Sequence, residues 1–311
     1  MSWPGGVEVR PLGSAKLEGL VELVNAIAAA DGSGEYVDAV GLRRVVDAAA
    51  DGRSVWKGSR LVGYSLIDDE TVRGGIHPEY RRQGIGRPLF EWATRRALEL
   101  FATVDIELQS IDDGGRVLAL ANGYQPTRYY SSMQRPYSEQ PIVTQPAEGF
   151  RLIPFAIEYD EPLRLAHNEI FVDHWGVEPK TEEDWQRWFT GHRGFRPALS
   201  RLMLDGDRIA AYALAYEYPA DTEATGVREL WIGQVGTRRE YRGRGLASAA
   251  MAEAMRAGEA AGFERAGLNV DAASPTGAQR LYEQLGFRTV HTKVLYRLTR
   301  DPASEARAVD A

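Results

Sequence analysis

Two similar series of predicted elements follow one another along this chain, and apolar runs separated by polar positions mark the start of each. Each series begins with two such runs joined by a glycine turn, which is the pattern of a β-hairpin. The hairpins cover residues 52–68 and 200–218 and turn at Lys57-Gly58 and Asp205-Gly206. One more predicted strand follows each hairpin, over residues 71–78 and 228–237.

The two series also continue alike. Apolar residues four positions apart predict a helix with one buried face. They are Leu89, Ala93 and Ala97 in the first series and Leu246, Ala250 and Ala254 in the second. A strand, a short helix that ends in Gly-Tyr or Gly-Phe, and a last strand complete each series. The last strands lie near Tyr129–Gln134 and Lys293–Leu298, and each is predicted to close its own series.

A duplicated domain explains this repetition. The repeat distance is about half of the 311 residues, which is too long for a solenoid and typical of one domain. A polar stretch with three prolines predicts a linker at Pro141–Glu148. We therefore predict an α/β (mixed α+β) protein with tandem domains at residues 1–140 and 149–300, each a central, mostly antiparallel sheet flanked by helices. Residues 301–311 are small and polar and predict a frayed tail.

Composition narrows the classes of function. The net charge of −7, without a run of like charges, argues against binding to nucleic acid. The absence of cysteine excludes a disulfide, a zinc–thiolate site and a cysteine nucleophile. The histidines show no metal-binding spacing. No apolar stretch approaches the about 20 residues that span a bilayer, and the first residues, MSWPGGVEVR, contain no apolar run of the kind that an export signal needs. We expect a cytoplasmic monomer or homodimer without a metal or a membrane partner.

A stretch rich in glycine and arginine stands between the third strand and the long helix of each series. It reads YRRQGIG from Tyr80 to Gly86 and YRGRGLA from Tyr241 to Ala247. The first N–H groups of a helix lack intrahelical partners and form a positive end, so an anion fits there. Glycines admit close approach, and arginines add charge-assisted hydrogen bonds. Both stretches therefore predict a pyrophosphate site. The alternative, a surface turn with solvated arginines, is less favoured because the motif occurs twice.

Each half resembles the GNAT superfamily of acetyl-CoA-dependent N-acyltransferases. The superfamily signature R/Q-x-x-G-x-G/A, between a strand and a long helix, matches Arg81–Gly86 and Arg242–Ala247. The tandem arrangement, the length and the RYYSSMQRP ending of the first half are similar to the mycothiol synthases and related tandem acyltransferases of actinobacteria. The resemblance implies two GNAT-type domains, with acetyl-CoA as the co-substrate.

The resemblance also implies where acetyl-CoA binds. In that superfamily the strand before the motif splays, and its backbone groups bind the pantetheine arm and the thioester carbonyl. In the second half these groups belong to Gln234, Val235, Gly236 and Thr237, and in the first half to Gly74, Gly75 and Ile76. The implied diphosphate contacts are Arg81, Arg82, Gln83, Gly84, Ile85 and Gly86, and Arg242, Gly243, Arg244, Gly245, Leu246 and Ala247.

The second half carries a candidate general acid. Its SPTGAQRLYEQLGF stretch resembles the superfamily element N-x-x-A-x-x-L-Y-x-x-x-G-F, whose tyrosine lies by the CoA sulfur. Tyr282 is that tyrosine, with a half-buried structural aromatic as the alternative. Ser274 stands, shifted by one residue, where an asparagine is usual; with Pro275 it predicts the start of a helix and a cofactor contact. The first half has Ala119 at the acid position, so we expect it to be non-catalytic, whether or not it binds acetyl-CoA.

A candidate general base precedes the second motif. The position that matches the superfamily base is Trp231, which cannot accept a proton. Glu229 lies two residues earlier, on the same face of the strand, and could act through a water that Gln234 holds. A solvated carboxylate at the strand end is the alternative. Glu70 is the corresponding candidate in the first half.

The expected reaction is acetyl transfer from acetyl-CoA to a primary amine of a small molecule, by direct attack in a ternary complex. By resemblance, the acceptor could be cysteinyl-glucosamine-inositol of the mycothiol pathway, or another amine such as an aminoglycoside. Residues 171–188 hold three tryptophans, with His174, Asp173 and Glu178, and predict either an acceptor-pocket wall or core packing. Two other functions stay open: a non-catalytic acyl-CoA-binding sensor and a nucleotide-phosphate-binding protein.

Overall fold

The structure, a computed structural model, describes residues 3–138, 148–172, 178–273 and 277–300. The predicted linker, apart from Glu148, and the predicted tail lie outside these ranges. The chain forms two compact units. The first unit contains the chain up to Tyr130 and the segment from His291 onward, and the second contains Ser131–Val290.

The predicted elements appear in the predicted order in both halves, and each half contains further strands and helices that were not predicted. The first half contains β1 (Val7–Pro11), α1 (Leu17–Asp31), α2 (Ala39–Ala48), β2 (Asp51–Lys57), β3 (Arg60–Asp68), β4 (Thr71–Ile76), α3 (Gly86–Leu100), β5 (Thr103–Gln109), α4 (Asp113–Ala121) and β6 (Gln125–Pro136). The second half contains β7 (Arg151–Pro154), α5 (Asp160–Ile170), α6 (Glu182–Trp188), β8 (Arg201–Asp205), β9 (Arg208–Tyr216), α7 (Pro219–Thr225), β10 (Glu229–Thr237), α8 (Leu246–Ala260), β11 (Arg265–Asp271), α9 (Ala278–Gln284) and β12 (Arg288–Thr299).

The first unit contains strands in the order β1-β2-β3-β4-β5-β12. Neighbours pair antiparallel except β4 and β5, which run parallel. Helices cover both faces, because side chains alternate across each strand. One core lies between the sheet and α1–α2 around Leu20, Leu23 and Leu66, and another lies under α3 around Ala93 and Ala97. The predicted apolar face of α3 is therefore confirmed.

The second unit repeats this design with strands in the order β6-β11-β10-β9-β8-β7. Strands β10 and β11 are parallel, and β7 to β10 pair antiparallel. The inward face of α8 is alanine-rich and packs on Leu230 and Ile232 of β10. On the opposite face, α5 and α6 cover Tyr212, Leu214 and Tyr216 of β9. The predicted mixed α/β class, with a mostly antiparallel sheet and flanking helices, is confirmed.

Both predicted hairpins are present, and their turns show why glycine is used there. Strands β2 and β3 meet at Gly58 with φ of 62°, and β8 and β9 meet at Gly206 with φ of 58°. These values lie in the left-handed region of backbone conformation, which residues other than glycine rarely adopt. The glycines that end the short helices, Gly123 and Gly286, have φ of 87° and 81°.

The prediction that each series closes with its own last strand is wrong, because the two last strands are exchanged. Strand β12 pairs with β5, from Lys293↔Gln109 to Thr299↔Thr103. Residues 131–136 of β6 belong to the second unit, where β6 neighbours β11. Two copies of one fold offer equivalent sheet edges, so exchanging equivalent strands costs little. The compact units therefore differ from the ranges 1–140 and 149–300 by these strands.

Candidate functional site

The strand before the second glycine-arginine motif separates from its parallel neighbour. Pairs between β10 and β11 run from Glu229↔Arg265 to Trp231↔Gly267, and the described residues show no pair beyond that point. Strand β10 nevertheless continues to Thr237 and β11 to Asp271. A slot therefore opens beside residues 232–237, which leaves backbone groups of β10 on that side without sheet partners.

A β-bulge accompanies this separation. The register between β10 and β9 shifts between Ile232 and Gln234, so that Gly233 is the extra residue. A bulge bends its strand and increases the local twist, which turns β10 away from β11. A Cβ on Gly233 would lie 2.7 Å from Cε2 of Tyr216, and one on Gly236 would lie 2.7 Å from Cε1 of Tyr212. Both positions therefore require glycine for steric reasons.

Behind Gly236, the Tyr212 ring is held in place by a histidine. The Tyr212 hydroxyl lies 2.7 Å from Nδ1 of His167, and both residues are buried. The imidazole stacks on Phe171, with ring centroids 4.5 Å apart. Burial raises the pKa of Tyr212 well above its usual value, so its hydroxyl stays protonated at neutral pH.

The second glycine-arginine stretch forms an open turn at the start of α8. Gly243 and Gly245 have φ of 76° and 73°, and a Cβ on either would meet no atom within 4 Å. Arg242 and Arg244 are exposed, and Nε of Arg242 donates to the Thr237 carbonyl at 3.3 Å. Leu246 anchors the helix start in the core. The residues from Arg242 to Ala247 therefore present glycine backbone, two guanidinium groups and a helix N-terminus on one exposed turn.

The equivalent stretch of the first unit is occupied by its own side chains. The Arg81 guanidinium makes a bidentate ion pair with Asp31 at 2.7 and 3.0 Å, and its Nε donates to the Ile76 carbonyl. Gln83 accepts from Lys57 at 3.0 Å. A Cβ on Gly84 would lie 3.5 Å from Pro4. The predicted diphosphate contacts of this unit are thus together in space, but Arg81 is already paired with a carboxylate.

The first unit also differs in its strand and in the backbone of its turn. The β3–β4 register runs without a shift, and β4 pairs with β5 only at Thr71↔Asp105 within the described part of the chain. Arg82 has φ of 61° where the second motif has Gly243, a conformation that costs a non-glycine residue about 1 kcal/mol or more. Ile85 is buried, and Gly86 is the first residue of α3.

Tyr282 lies on α9, one turn before Gly286. Its ring packs edge-on against Phe287, with centroids 6.2 Å apart, in the same core as Val235. Burial raises its pKa to about 12. No group in the described ranges accepts a hydrogen bond from the Tyr282 hydroxyl, so no hydrogen bond to those residues holds its proton. Ala119 occupies the same position in the first unit. The Tyr124 N–H donates to the Ala119 carbonyl, just as the Phe287 N–H donates to the Tyr282 carbonyl.

The Ser274-Pro275 pair, which predicts a helix start, lies outside the described residues. Within them, helix α9 begins at Ala278, after Gly277 with φ of 66°. A left-handed residue at this point prevents the helix from extending further back. Ser274 lies outside the described residues, and so does its predicted contact with the cofactor.

Glu229 lies on the paired part of β10, next to the point where the slot opens. Its Oε2 accepts from Nε of Arg265 and, at 2.9 Å, from Nε2 of Gln134. A Cβ on Gly267 would lie 2.5 Å from Oε1 of Glu229 and 3.0 Å from the Trp231 ring. The predicted shared face of Glu229 and Trp231 is therefore present. Burial raises the pKa of Glu229, and the Arg265 charge and the two hydrogen bonds lower it in part.

The other sequence candidates take less central positions. Glu70 is exposed, and its carbonyl accepts from the Asp105 N–H. In the segment 171–188, Trp185 is fully buried against Phe189, which favours core packing for that residue, whereas Trp188 is exposed beside Arg187. Asp173 and His174 lie outside the described residues. Over the ranges that the structure describes, no cluster of three or more His, Asp or Glu side chains could hold a metal ion.

Sequence reasoning missed Gln134, Arg265 and the pair His167–Tyr212. Gln134 is 95 positions from Glu229 and belongs to the strand that was expected to close the other half. Arg265 had one available signal, since it opens a strand parallel to the one that Glu229 opens. His167 gave no signal, because a lone histidine on an amphipathic helix is ordinary.

Comparison with known proteins agrees with this geometry. Residues 161–287 match the family model described as Acetyltransferase (GNAT) family. The mycothiol acetyltransferase of Kocuria rhizophila is 28% identical over 303 residues, which cover 89% of this chain and 94% of that protein. That of Thermobispora bispora is 28% identical over 262 residues, covering 78% and 82%.

Solved structures with the same fold extend over nearly the whole chain. A GCN5-related N-acetyltransferase from Sphaerobacter thermophilus has a TM-score of 0.76 and 25% identity, and covers 96% of this chain and 97% of that one. A tandem GNAT protein from the clavulanic acid biosynthesis pathway has a TM-score of 0.70 and 18% identity, covering 95% and 99%. None of the helices in the described ranges is long and apolar enough to cross a membrane.

Proposed function

We propose that the second unit of this chain, in which residues 161–287 match the acetyltransferase (GNAT) family, transfers the acetyl group of acetyl-CoA to a primary amine of a small molecule. One observation carries this proposal: the slot between β10 and β11 leads to the open turn at Gly243 and Gly245. The slot suits a thioester arm, and the turn suits its diphosphate.

The residues present fit acetyl-CoA. Arg242 and Arg244 lie beside the exposed N-terminus of α8, and the missing Cβ atoms of Gly243 and Gly245 leave the backbone accessible. Successive N–H groups of a strand point to opposite edges, so one of the backbone N–H groups of Val235 and Gly236 faces the slot. That group is the candidate to bind the thioester carbonyl oxygen as it gains charge. The predicted contacts of the second motif, from Val235 to Ala247, are retained in this role.

The chemistry needs a base and an acid on this unit. We assign the base to Glu229, whose burial raises its pKa and makes the carboxylate a better proton acceptor, directly or through water. The acceptor amine then attacks the thioester carbon, and the C–S bond breaks. Tyr282 donates a proton to the leaving thiolate, and its pKa near 12 keeps that proton available at neutral pH. The sequence has no cysteine, so no thiol-linked acyl-enzyme precedes this transfer.

We further propose that the first unit does not catalyse transfer. Ala119 stands where Tyr282 stands in the second unit, β4 lacks the bulge, and the Arg81 guanidinium is paired with Asp31. The loop from Arg81 to Gly86 with Ile76 would bind CoA only after that ion pair opens.

For the acceptor, we propose the cysteinyl amine of cysteinyl-glucosamine-inositol. The proposal rests on relatives named mycothiol acetyltransferase that align with 89% and 78% of this chain. Purified full-length protein would be incubated with acetyl-CoA and a panel of this amine, an aminoglycoside and free cysteine, and products identified by mass spectrometry. We expect N-acetylation of cysteinyl-glucosamine-inositol to have the highest kcat/KM of the panel. Acetylation of another amine would overturn the acceptor only, whereas acetyl-CoA binding without any turnover would overturn the enzyme assignment.

A further inference from the structure

We propose that Gln134, which the exchanged strand β6 brings into the second unit, is a positioning residue for the Glu229 carboxylate. This inference rests on the proposed role of Glu229 as the base. Gln134 comes from the first half of the sequence, before the predicted linker, yet Nε2 of its amide donates to Oε2 of Glu229 at 2.9 Å. The half without the catalytic motif thus supplies a group to the half that has it.

The two carboxylate oxygens of Glu229 are in different environments. Oε2 accepts from both Gln134 and Arg265, while Oε1 accepts from no donor among the described residues and lies over Gly267. Two donors at one oxygen fix the plane of the carboxylate. They also leave Oε1 as the atom with free lone pairs. The geometry therefore selects the oxygen that receives the proton of the acceptor amine or of its bridging water.

The site would lose this selection if either donor were absent. Arg265 by itself makes one hydrogen bond to Oε2, from its Nε. The carboxylate can still rotate about that single hydrogen bond. Gln134 approaches from β6, on the other side of β11 from β10 in strand order, and supplies the second point. A hydrogen bond to a charged group is stronger than one between neutral groups, so the second donor favours one carboxylate orientation over its alternatives.

Gln134 also influences the proton affinity of the base. Burial raises the pKa of Glu229, and the charge and hydrogen bond of Arg265 and the Gln134 hydrogen bond lower it. Within the described residues, the charged or titratable groups that act on this carboxyl are Arg265 on β11 and Tyr137, which follows β6. Removing the amide donor removes one hydrogen bond that favours the ionised carboxylate, so the pKa of Glu229 rises and the acid limb of the rate profile moves to higher pH.

The test compares variants of the full-length protein. Gln134→Met keeps the length and most of the volume of the side chain but removes the donor. We expect kcat to fall about tenfold, KM for acetyl-CoA to stay within about twofold, and the acid limb of kcat/KM to move to higher pH. If this variant does not fold, Gln134→Glu gives the same readout, because a second carboxylate beside Glu229 also raises its pKa.

A matched control lies two residues away on the same face of β6. Ser132 donates to Asn269 at 2.6 Å and does not contact Glu229, so Ser132→Ala should leave the acid limb in place. Equal behaviour of the Ser132 and Gln134 variants would overturn the inference. Glu229→Gln separates this from failure of the proposed function: if it keeps both kcat and the acid limb, the base assignment itself is wrong, whatever Gln134 does.

Discussion

Replacing Gly236 by alanine tests whether β10 is the strand that binds the thioester. Gly236 has no left-handed backbone, so the substitution adds only a methyl group. That group would lie 2.7 Å from Cε1, 2.8 Å from Cζ and 3.0 Å from the hydroxyl oxygen of Tyr212. These distances are well inside van der Waals contact, so either the ring or the strand has to move.

The Tyr212 ring has little freedom to move away. Its hydroxyl is bonded to His167 at 2.7 Å, and it is fully buried in the core that contains Trp185 and Phe189. Overpacking of this kind costs about 1–3 kcal/mol of folding stability. The strand is therefore expected to shift toward the slot, and a displacement near 1 Å of a group that positions the reacting atoms costs about a hundredfold in rate. We expect kcat/KM to fall by about tenfold to a hundredfold.

The assay combines steady-state acetyl transfer with urea unfolding of the same protein. The matched control for stability is Gly75→Ala in the first unit, where the added methyl would lie 2.9 Å from Cδ1 of Ile27, the mobile end of an aliphatic side chain. We expect Gly75→Ala to change the unfolding free energy by less than about 1 kcal/mol. If Gly236→Ala kept both its stability and its kcat/KM, the tight contact with Tyr212 and the assigned role of β10 would both be refuted.

Three further predictions address the acid, the first unit and the exchanged strands. Tyr282→Phe should lower kcat by about a hundredfold or less, with little change in KM for acetyl-CoA. Because the folded pKa of about 12 exceeds the unfolded pKa of about 10, the contribution of the Tyr282 hydroxyl to the unfolding free energy is complete below pH 10 and is lost progressively as the pH rises toward 12. Urea titrations from pH 9 to pH 11 should therefore show a shallower loss of stability in this variant. Asp31→Ala frees Arg81, so calorimetry with CoA should change from one site to two, and an unchanged single site would contradict the assigned role of the ion pair. A fragment of residues 149–300 leaves β11 without β6 and β12 without β5, so it should aggregate when expressed by itself, and a folded, monomeric fragment would show that the exchange is dispensable.

Local patterns were sufficient for much of this protein. Turn glycines such as Gly58 and Gly206, the four-residue spacing on α8, and the difference between Ala119 and Tyr282 involve residues within about one turn or one hairpin of each other. The physical causes of these features, positive φ and one-sided burial, act within the same short stretch. Sequence alone therefore determined the order of the elements, the duplication and the glycine-arginine turns.

Tertiary structure decided which strand pairs with which. Strands β6 and β12 have equivalent positions in the two copies, so their local patterns fit either sheet edge, and only long-range packing selects the exchanged arrangement. The same long-range packing brings Gln134 to Glu229, His167 to Tyr212 and Asp31 to Arg81. These contacts join residues far apart in sequence, and no periodicity records such a distance, because hydrophobic spacing reports which face is buried and not what it is buried against.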